Sequence, residues 1–342
     1  MSEKKHDFLF SYSSMSMLIR NPKLFHKEYI LGERELRDEI YFKSGELFHC
    51  FLLEPENFND KFAMLPSKLP TDNVRDVINK IFNDNVTEDI EVNKIPKGSI
   101  VLGNYAQRIL DILVEKNLYQ SLVDTTVKKV LVTGDSKRLD KIINNEGIEY
   151  FNALMDGYGK TVVDAALVGT AGEKARIMME NQKVQAFFEG SLPEVDVRKE
   201  MELRLEVKES KLPFGLKGII DLVRVDHENH IVHIVDFKTT SKTLEAWKKD
   251  FETSEYMYWL QVMIYRLLIL SLIPKEDKNS WSLKISFPVI DKHNNVYVFN
   301  VSQQSMLRWD KSSRGVFEIA DWHLTNMKFD LPYEYEQNLV ML

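Results

Sequence analysis

Two short stretches decide the fold: Lys217-Gly218-Ile219-Ile220-Asp221 and Ile234-Val235-Asp236-Phe237-Lys238-Thr239-Thr240. They lie in apolar, β-branched runs, Leu216 to Val225 and Ile231 to Phe237, separated by a polar turn at Asp226 to Asn229. That pattern predicts an antiparallel hairpin. Neighbouring strands then set Asp221 beside Asp236, and alternation puts Lys238 on the same face as Asp236. Two bare carboxylates ~4 Å apart repel by about 4 kcal/mol at an effective dielectric of about 20, so a proton, a lysine or a divalent cation must compensate them. An isolated Asp-x-Lys on an exposed strand is an ordinary solvated pair. Here Asp236 follows an apolar run and a second acid stands opposite in an equally apolar strand, and buried acids at strand ends point to chemistry. Hard oxygen ligands suit magnesium or manganese. Such an ion acidifies water and stabilises charge on a phosphate, while the lysine orients or deprotonates that water, which is the equipment of phosphodiester hydrolysis.

Outward from the hairpin, Met201, Leu203, Leu205 and Val207 alternate with charged residues and predict a strand. Downstream come a helix over about 255–273, strands near 281–290 and 296–301, and a final helix over about 303–323, which together predict a mixed α/β sheet. Upstream, Ser13 or Ser14 caps a short helix that stops ahead of Pro22, and a buried helix over 44–53 holds His49. Residues 60–195 read as polar loops with amphipathic helices near 73–83, 104–119 and 172–189, without repeats.

Composition bounds what this sheet can serve. The chain has 342 residues, 44% hydrophobic and 28% charged, enough apolar material for a substantial core. Cys50 is the single cysteine, so an intramolecular disulfide and a Cys-rich zinc or iron-sulfur site are excluded, which fits a reducing cytoplasm. The N-terminal residues lack a signal-peptide pattern, and the richest apolar window, 259–273, is interrupted by Gln261 and Arg266, so no membrane span is expected. The net charge of −7 gives no global attraction to nucleic acid, and a local basic groove would have to supply it.

The spacing from Asp221 to Asp236-Phe237-Lys238 resembles the signature of the PD-(D/E)XK nuclease superfamily, and the flanking motifs resemble its RecE-type (exonuclease VIII-like) phage exonucleases, related to lambda exonuclease and the RecB nuclease domain. Those motifs are Ser11-Tyr12-Ser13-Ser14 through Asn21-Pro22-x-x-Phe25, Gly45-x-x-x-His49 with Leu52-Leu53-Glu54-Pro55-x-x-Phe58, Tyr256-x-Tyr258-x-x-Gln261-x-x-x-Tyr265, and the tail Phe329-Asp330-Leu331-Pro332. The resemblance implies a restriction-endonuclease-like core, a mixed central sheet flanked by helices, with a helical N-terminal part and an insertion. It implies a single nuclease domain over 1–342: helical motifs at 8–60, a largely helical insertion at 61–195, the core at 196–301, and a C-terminal helix and tail at 302–342.

By the same resemblance His49, Asp221, Asp236 and the Phe237 carbonyl are metal ligands and Lys238 is the catalytic lysine. Gln261 and Tyr265 orient the site or touch DNA, and Lys217 and Ser13 join the DNA contacts. A further acid belongs to the pattern. Glu200, Glu202 and Glu206 compete for it, with Glu200 and Glu202 at the more plausible distance. The implied cofactor is Mg2+ or Mn2+, as two ions. The implied substrate is linear duplex DNA, degraded from its ends in phage recombination, with a single-strand annealing protein and a homo-oligomer as further partners. An endonuclease of the superfamily and a non-catalytic DNA-binding or assembly protein on the same fold are the alternatives. Asn21-Pro22 stands where iron-sulfur members carry Cys-Pro, so no cluster is expected.

Other features read as structural. The triplet His227-x-x-His230-x-x-His233 spans a turn, so its side chains diverge. Gly159-Lys160-Thr161 mimics a phosphate loop, but Leu154 occupies the place of its leading glycine, although the segment resembles a Gly-Lys-apolar stretch ahead of a helix in the RecE-type group. Lys248-Lys249 and Arg198-Lys199 read as solvated pairs able to line a phosphate path. Tyr258 and Trp259 are weak candidates for base stacking.

Overall fold

The computed structural model describes residues 5–33, 40–120, 122, 125–127, 130–132, 134–189, 194–251, 253, 256–274, 276–277 and 280–340. Two compact units result: Met1–Pro55 with Ala171–Leu342, and Glu56–Thr170.

The first unit holds one seven-stranded sheet: β1 (Leu9–Phe10), β2 (Val195–Leu205), β3 (Gly215–Asp226), β4 (Ile231–Val235), β5 (Lys238–Thr239), β6 (Ser282–Ile290) and β7 (Val296–Asn300). The expected hairpin is β3–β4, closed by the Asp226 carboxylate, which accepts the Asn229 N–H at 2.9 Å. β2 runs antiparallel along one whole edge of β3, from Val195 opposite Asp226 to Leu205 opposite Leu216. The other edge is shared. β4 pairs antiparallel with 222–226, and β1 pairs parallel with Gly215 and Leu216, so among the described residues no strand lies beside 217–221 on this edge.

β4 parts from β3 at this gap. Its ladder with β3 ends at Val235, yet Asp236 N–H donates to the Ser286 carbonyl at 3.1 Å, and β5 continues parallel to β6. β7 closes the sheet antiparallel to β6. The sheet is thus mixed and forked, and Asp221 and Asp236 sit where the fork opens.

Helices cover both faces. On one, α1 (Tyr12–Arg20), α5 (Tyr258–Leu272) and α6 (Gln303–Asn326) share a core with Leu216, Ile220, Val223, Ile234 and Phe287. On the other, α2 (Ile40–Leu53) and α3 (Ala165–Glu180) contribute Phe48, Leu53 and Met178 against Leu222, Val235 and Phe237. Each such fully buried Leu, Ile or Phe stabilises by about 1.5–3 kcal/mol relative to exposure.

The alternation of the strands reverses at one point. Met201, Leu203 and Leu205 of β2 pack on the first core, but Val197, also odd-numbered, packs on the second. On β3, Ile220 faces the first core and Leu222 the second. Between them stand Glu200 and Asp221, where the ladder skips a pair between Lys199–Leu222 and Met201–Ile220, and Glu200 has φ of 47°, a left-handed conformation that costs a non-glycine residue strain.

The short helix α1 is capped by Ser11, through a capping box with Ser14, and not by Ser13 or Ser14. The helix expected over 172–189 is two, α3 and Gln182–Phe188, the second capped by Asn181. α5 begins at Tyr258, after a left-handed Met257, and the expected start at Glu255 lies outside the described residues, as do residues 1–4. A short helix over Leu244–Asp250, α4, was not anticipated. It precedes α5 in the chain.

In the second unit, helices Asp72–Ile81, Ala106–Glu115, Gly134–Ile142 and Asn145–Asp156 surround Val77, Ile78, Ile109, Ile112 and Phe151. Strand Phe62–Met64 pairs parallel with Thr161–Val163, and Thr125–Val127 pairs antiparallel with Val130–Val132. The helices near 73–83 and 104–119 are present.

Gly215, where β3 meets both β1 and β2, tests this packing. A Cβ there would stand 2.6 Å from the Leu205 carbonyl oxygen, a backbone atom that cannot yield cheaply. Gly215→Ala should therefore cost about 1–3 kcal/mol in denaturant unfolding. Unchanged stability would contradict the three-strand junction.

Candidate metal centre

Asp221 stands at the fork, only 9% exposed. Its Oδ2 accepts the Phe237 N–H at 2.7 Å, the first amide of the departing strand without a β3 partner. The same oxygen lies 3.4 Å from Nδ1 of His49, carried on α2. Across the β2–β3 ladder, the left-handed turn of Glu200 brings its carboxylate to the same place. One ligand atom each from His49, Glu200 and Asp221 fall within 4.8 Å of one another. Ligands of one magnesium ion, each ~2.1 Å from it, stand about 3–4 Å apart, so this set is close to what a hard divalent ion requires.

Asp236, 1% exposed, is held from two sides. Oδ1 accepts from Gln261 Nε2 at 2.9 Å, and Lys238 Nζ lies 2.6 Å from Oδ2. Gln261 Nε2 also donates to the Tyr265 hydroxyl at 2.9 Å, and that hydroxyl donates to the Ile219 carbonyl at 2.7 Å. Both residues are one turn apart on α5, and the bond to Ile219 fills the strand edge left open between β1 and β4. Gly218 permits the approach, since a Cβ there would stand 3.1 Å from the Tyr265 ring. The ring of Tyr258 lies 5.6 Å from Lys238 Nζ, a cation–π contact.

The donor set fits a divalent cation. Asp236 Oδ2 is buried and has an ion pair but no directed hydrogen bond, and Gln261 Oε1 is a buried acceptor without a partner among the described residues. Burial, and then the charge of Asp236, push the Asp221 carboxyl well above the usual carboxylate range, with Lys238 and the Phe237 N–H offsetting this in part. Burial works against the charge of Lys238, but Asp236 and Asp221 outweigh it and hold the ammonium above its ordinary value. Burial and Lys238 lower His49 despite Asp236, Glu200 and the Phe237 backbone, favouring the neutral imidazole that can ligate a metal. Excess negative charge at this point is what an added cation would relieve.

The other predicted residues fall apart into distinct surroundings. Ser13 and Lys217 are exposed and line, with Arg204, Tyr12, Gln261 and Tyr265, a pocket of about 420 Å3. Glu202 lies on this pocket too, its exposed carboxylate accepting from Arg204 at 3.0 and 3.1 Å, and Glu206 is exposed beyond the end of β2. The histidine triplet diverges: His227 is 3.7 Å from Asp196, His230 stacks on Trp281, and His233 Nε2 is 2.8 Å from Ser286 Oγ. Lys160 donates to the Asn59 carbonyl ahead of strand Thr161–Val163. Cys50 is buried, its thiol directed at the Glu54 carbonyl at 3.6 Å. Among the described residues no helix is long and apolar enough to cross a membrane. The contact of Tyr258 with Lys238 carried no local sequence signal beyond its place in the aromatic run before Gln261.

The sequence model of the PD-(D/E)XK nuclease superfamily matches residues 150–330, which contain Glu200, Asp221, Asp236, Lys238, Gln261 and Tyr265. The chain belongs to the PD-(D/E)XK nuclease superfamily. Among solved structures it is similar to a protein of Eubacterium rectale described as a "Putative exonuclease", with a TM-score of 0.43 and 11% identity over 98% of this chain and 89% of that one. No curated protein matches it. The mixed sheet flanked by helices is the PD-(D/E)XK fold, and membership makes the protein a nuclease of a superfamily that uses divalent metals.

The raised pKa of Asp221 has a consequence for stability. The unfolded carboxylate titrates at about 3.9, so the stability this group lends the metal-free fold is full below that pH and is lost as pH rises through the folded value. Asp221→Asn should accordingly raise the unfolding midpoint at pH 7 in chelator and lose this advantage near pH 4. Thermal scans at both pH values check it, and a variant less stable than wild type at pH 7 would contradict the assignment.

Proposed function

We propose that this protein is a metal-dependent deoxyribonuclease of the RecE type, an exonuclease that digests linear duplex DNA from its ends in phage recombination. The observation that carries the reading is the convergence of His49, Glu200 and Asp221 within 4.8 Å at the fork where Lys238 pairs with Asp236 at 2.6 Å. Magnesium or manganese, as two ions held by His49, Glu200, Asp221, Asp236 and the Phe237 carbonyl, would supply charge stabilisation on the scissile phosphate and acidity to water.

The chain's own residues do the rest. Asp236 is fixed by Gln261, and Gln261 by Tyr265, so the carboxylate keeps its aim when Lys238 releases it. Lys238, kept protonated by two acids, orients the attacking water or the phosphoryl oxygen through its ammonium hydrogens. Tyr265 and Gln261 are buried and act on DNA through Asp236, while exposed Lys217 and Ser13, with Arg204, receive the phosphate backbone. Glu200 takes the place of the further acid, since Glu202 is already bonded to Arg204. We read 61–195 as an insertion into a single nuclease domain, most of it lying in the compact unit Glu56–Thr170, and the protein as cytoplasmic, with an annealing protein or a second copy as partners.

Incubation with end-labelled linear duplex and with covalently closed circles tests the reading. With magnesium, wild type should degrade the linear DNA and spare the circle, and chelator should abolish activity. Lys238→Ala should lower the rate by about 10²–10⁴-fold. Equal degradation by the variant, or activity in chelator, would overturn the mechanism, and cutting of closed circles would make the enzyme an endonuclease.

A further inference from the structure

A second pocket, of about 450 Å3, lies one aromatic layer away from the metal centre. The Tyr258 ring, which faces Lys238, is 5.6 Å from the ring of Trp247, and Trp247 is 5.1 Å from Phe299. Trp247, Phe251, Phe287, Phe299 and Trp309 make the floor. Tyr297, 53% exposed, meets the edge of Phe299 at 4.7 Å and extends this floor outward along β7.

The rim is of the opposite character. Lys248 and Lys249, exposed in the last turn of α4, stand on one side. On the other, Asn300 and Ser302 lead into the N-terminus of the 24-residue helix α6, where Ser302 Oγ accepts the Ser305 N–H at 3.1 Å and the positive end of the helix dipole faces the rim. An aromatic floor under a cationic rim, in a cleft of the size that holds small organic ligands, matches a planar apolar group joined to an anion. A nucleotide has that constitution: its base stacks on aromatic faces and its phosphate meets lysine. A free aliphatic or aromatic ligand would leave both lysines and the helix end without use.

We propose that this pocket is a stacking subsite for one nucleotide of a single DNA strand passing the metal centre, an inference that rests on the nuclease reading above. Continuity supports that occupant, because Tyr258 belongs at once to the surroundings of Lys238 and to the aromatic cluster under the pocket. The lysine pair and the pocket then deal with backbone and base of the same nucleotide.

Binding of a fluorescein-labelled thymidine octamer to the full chain in chelator, read by anisotropy, tests the subsite. Three competitors accompany it: an unlabelled octamer, an abasic octamer with the same phosphates, and an acidic peptide ending in phenylalanine. Lys248→Glu/Lys249→Glu, at exposed positions, and Phe299→Ala should each weaken octamer binding by about tenfold. The abasic strand should bind wild type more weakly than the thymidine octamer and be indifferent to Phe299→Ala. Thermal unfolding of Phe299→Ala confirms that it folds, and the lysine variant decides the matter if it does not. Octamer binding unchanged in the lysine variant, an abasic strand that binds as well as the thymidine one, or displacement by the peptide at lower concentration than by unlabelled octamer would overturn the proposal, the last assigning the pocket to a protein partner. Cleavage of linear duplex measured on the same protein preparations, with magnesium in place of chelator, separates the two readings. Failure of wild type to cut DNA with the binding pattern intact sinks the nuclease reading alone, and cutting with the binding pattern absent sinks the subsite alone.

Discussion

The hydrogen bond from the Phe237 amide to the Asp221 carboxylate is the constraint on which the site depends. Where β4 leaves β3, backbone groups lose their ladder partners, and a buried group left unpaired costs about 1–3 kcal/mol. The chain answers with side chains. Asp221 receives the Phe237 amide, and the Tyr265 hydroxyl satisfies the Ile219 carbonyl on the open edge. The groups that hold the fork apart are thereby the groups that face its interior. A sheet that stayed paired through these residues would have no room for an ion or a phosphate.

The arrangement is poorly compensated without a cation. Asp221, Asp236 and Glu200 gather around one ammonium and a histidine whose charged form burial and Lys238 disfavour. Asp221 rises toward protonation as a result. Such a cluster is retained at a cost in stability, as buried ionic groups often are, and the apolar packing of α5 and α2 against the two sheet faces offsets it. Placement of Gln261 on α5, whose other inward positions are Leu260, Val262, Ile264 and Leu268, shows how the core and the site are coupled: the helix that supplies the burial also aims the carboxylate.

Much of this was legible in the sequence. The polar turn between two β-branched runs gave the hairpin, and the shortness of that turn, which fixes where the two strands begin to pair, gave its register. Lys238 on the face of Asp236 follows from the same alternation. The choice of the third acid was not legible. In a regular strand Glu200 and Glu202 point the same way, and only the left-handed backbone at Glu200, which reverses the alternation of β2, separates them. No residue type announces that reversal, since glutamate is not expected at positive φ. The cap of α1 was misplaced for a related reason: Ser11, Ser13 and Ser14 all suit an N-cap, and the reciprocal bond between Ser11 and Ser14 that decides the matter depends on where the chain leaves β1. In the second unit, Asp72–Ile81 and Ala106–Glu115 were legible from their apolar stripes, whereas Gly134–Ile142 and Asn145–Asp156 were not, and nothing in their sequence says what the unit does.

The central claim is that the fork holds a hard divalent ion. Anomalous diffraction from crystals grown with manganese tests it most directly. The account predicts a peak within bonding distance of His49, Glu200 and Asp221, with Lys238 displaced from Asp236 if a second ion is present. A map with manganese elsewhere and these three side chains without it would contradict the account.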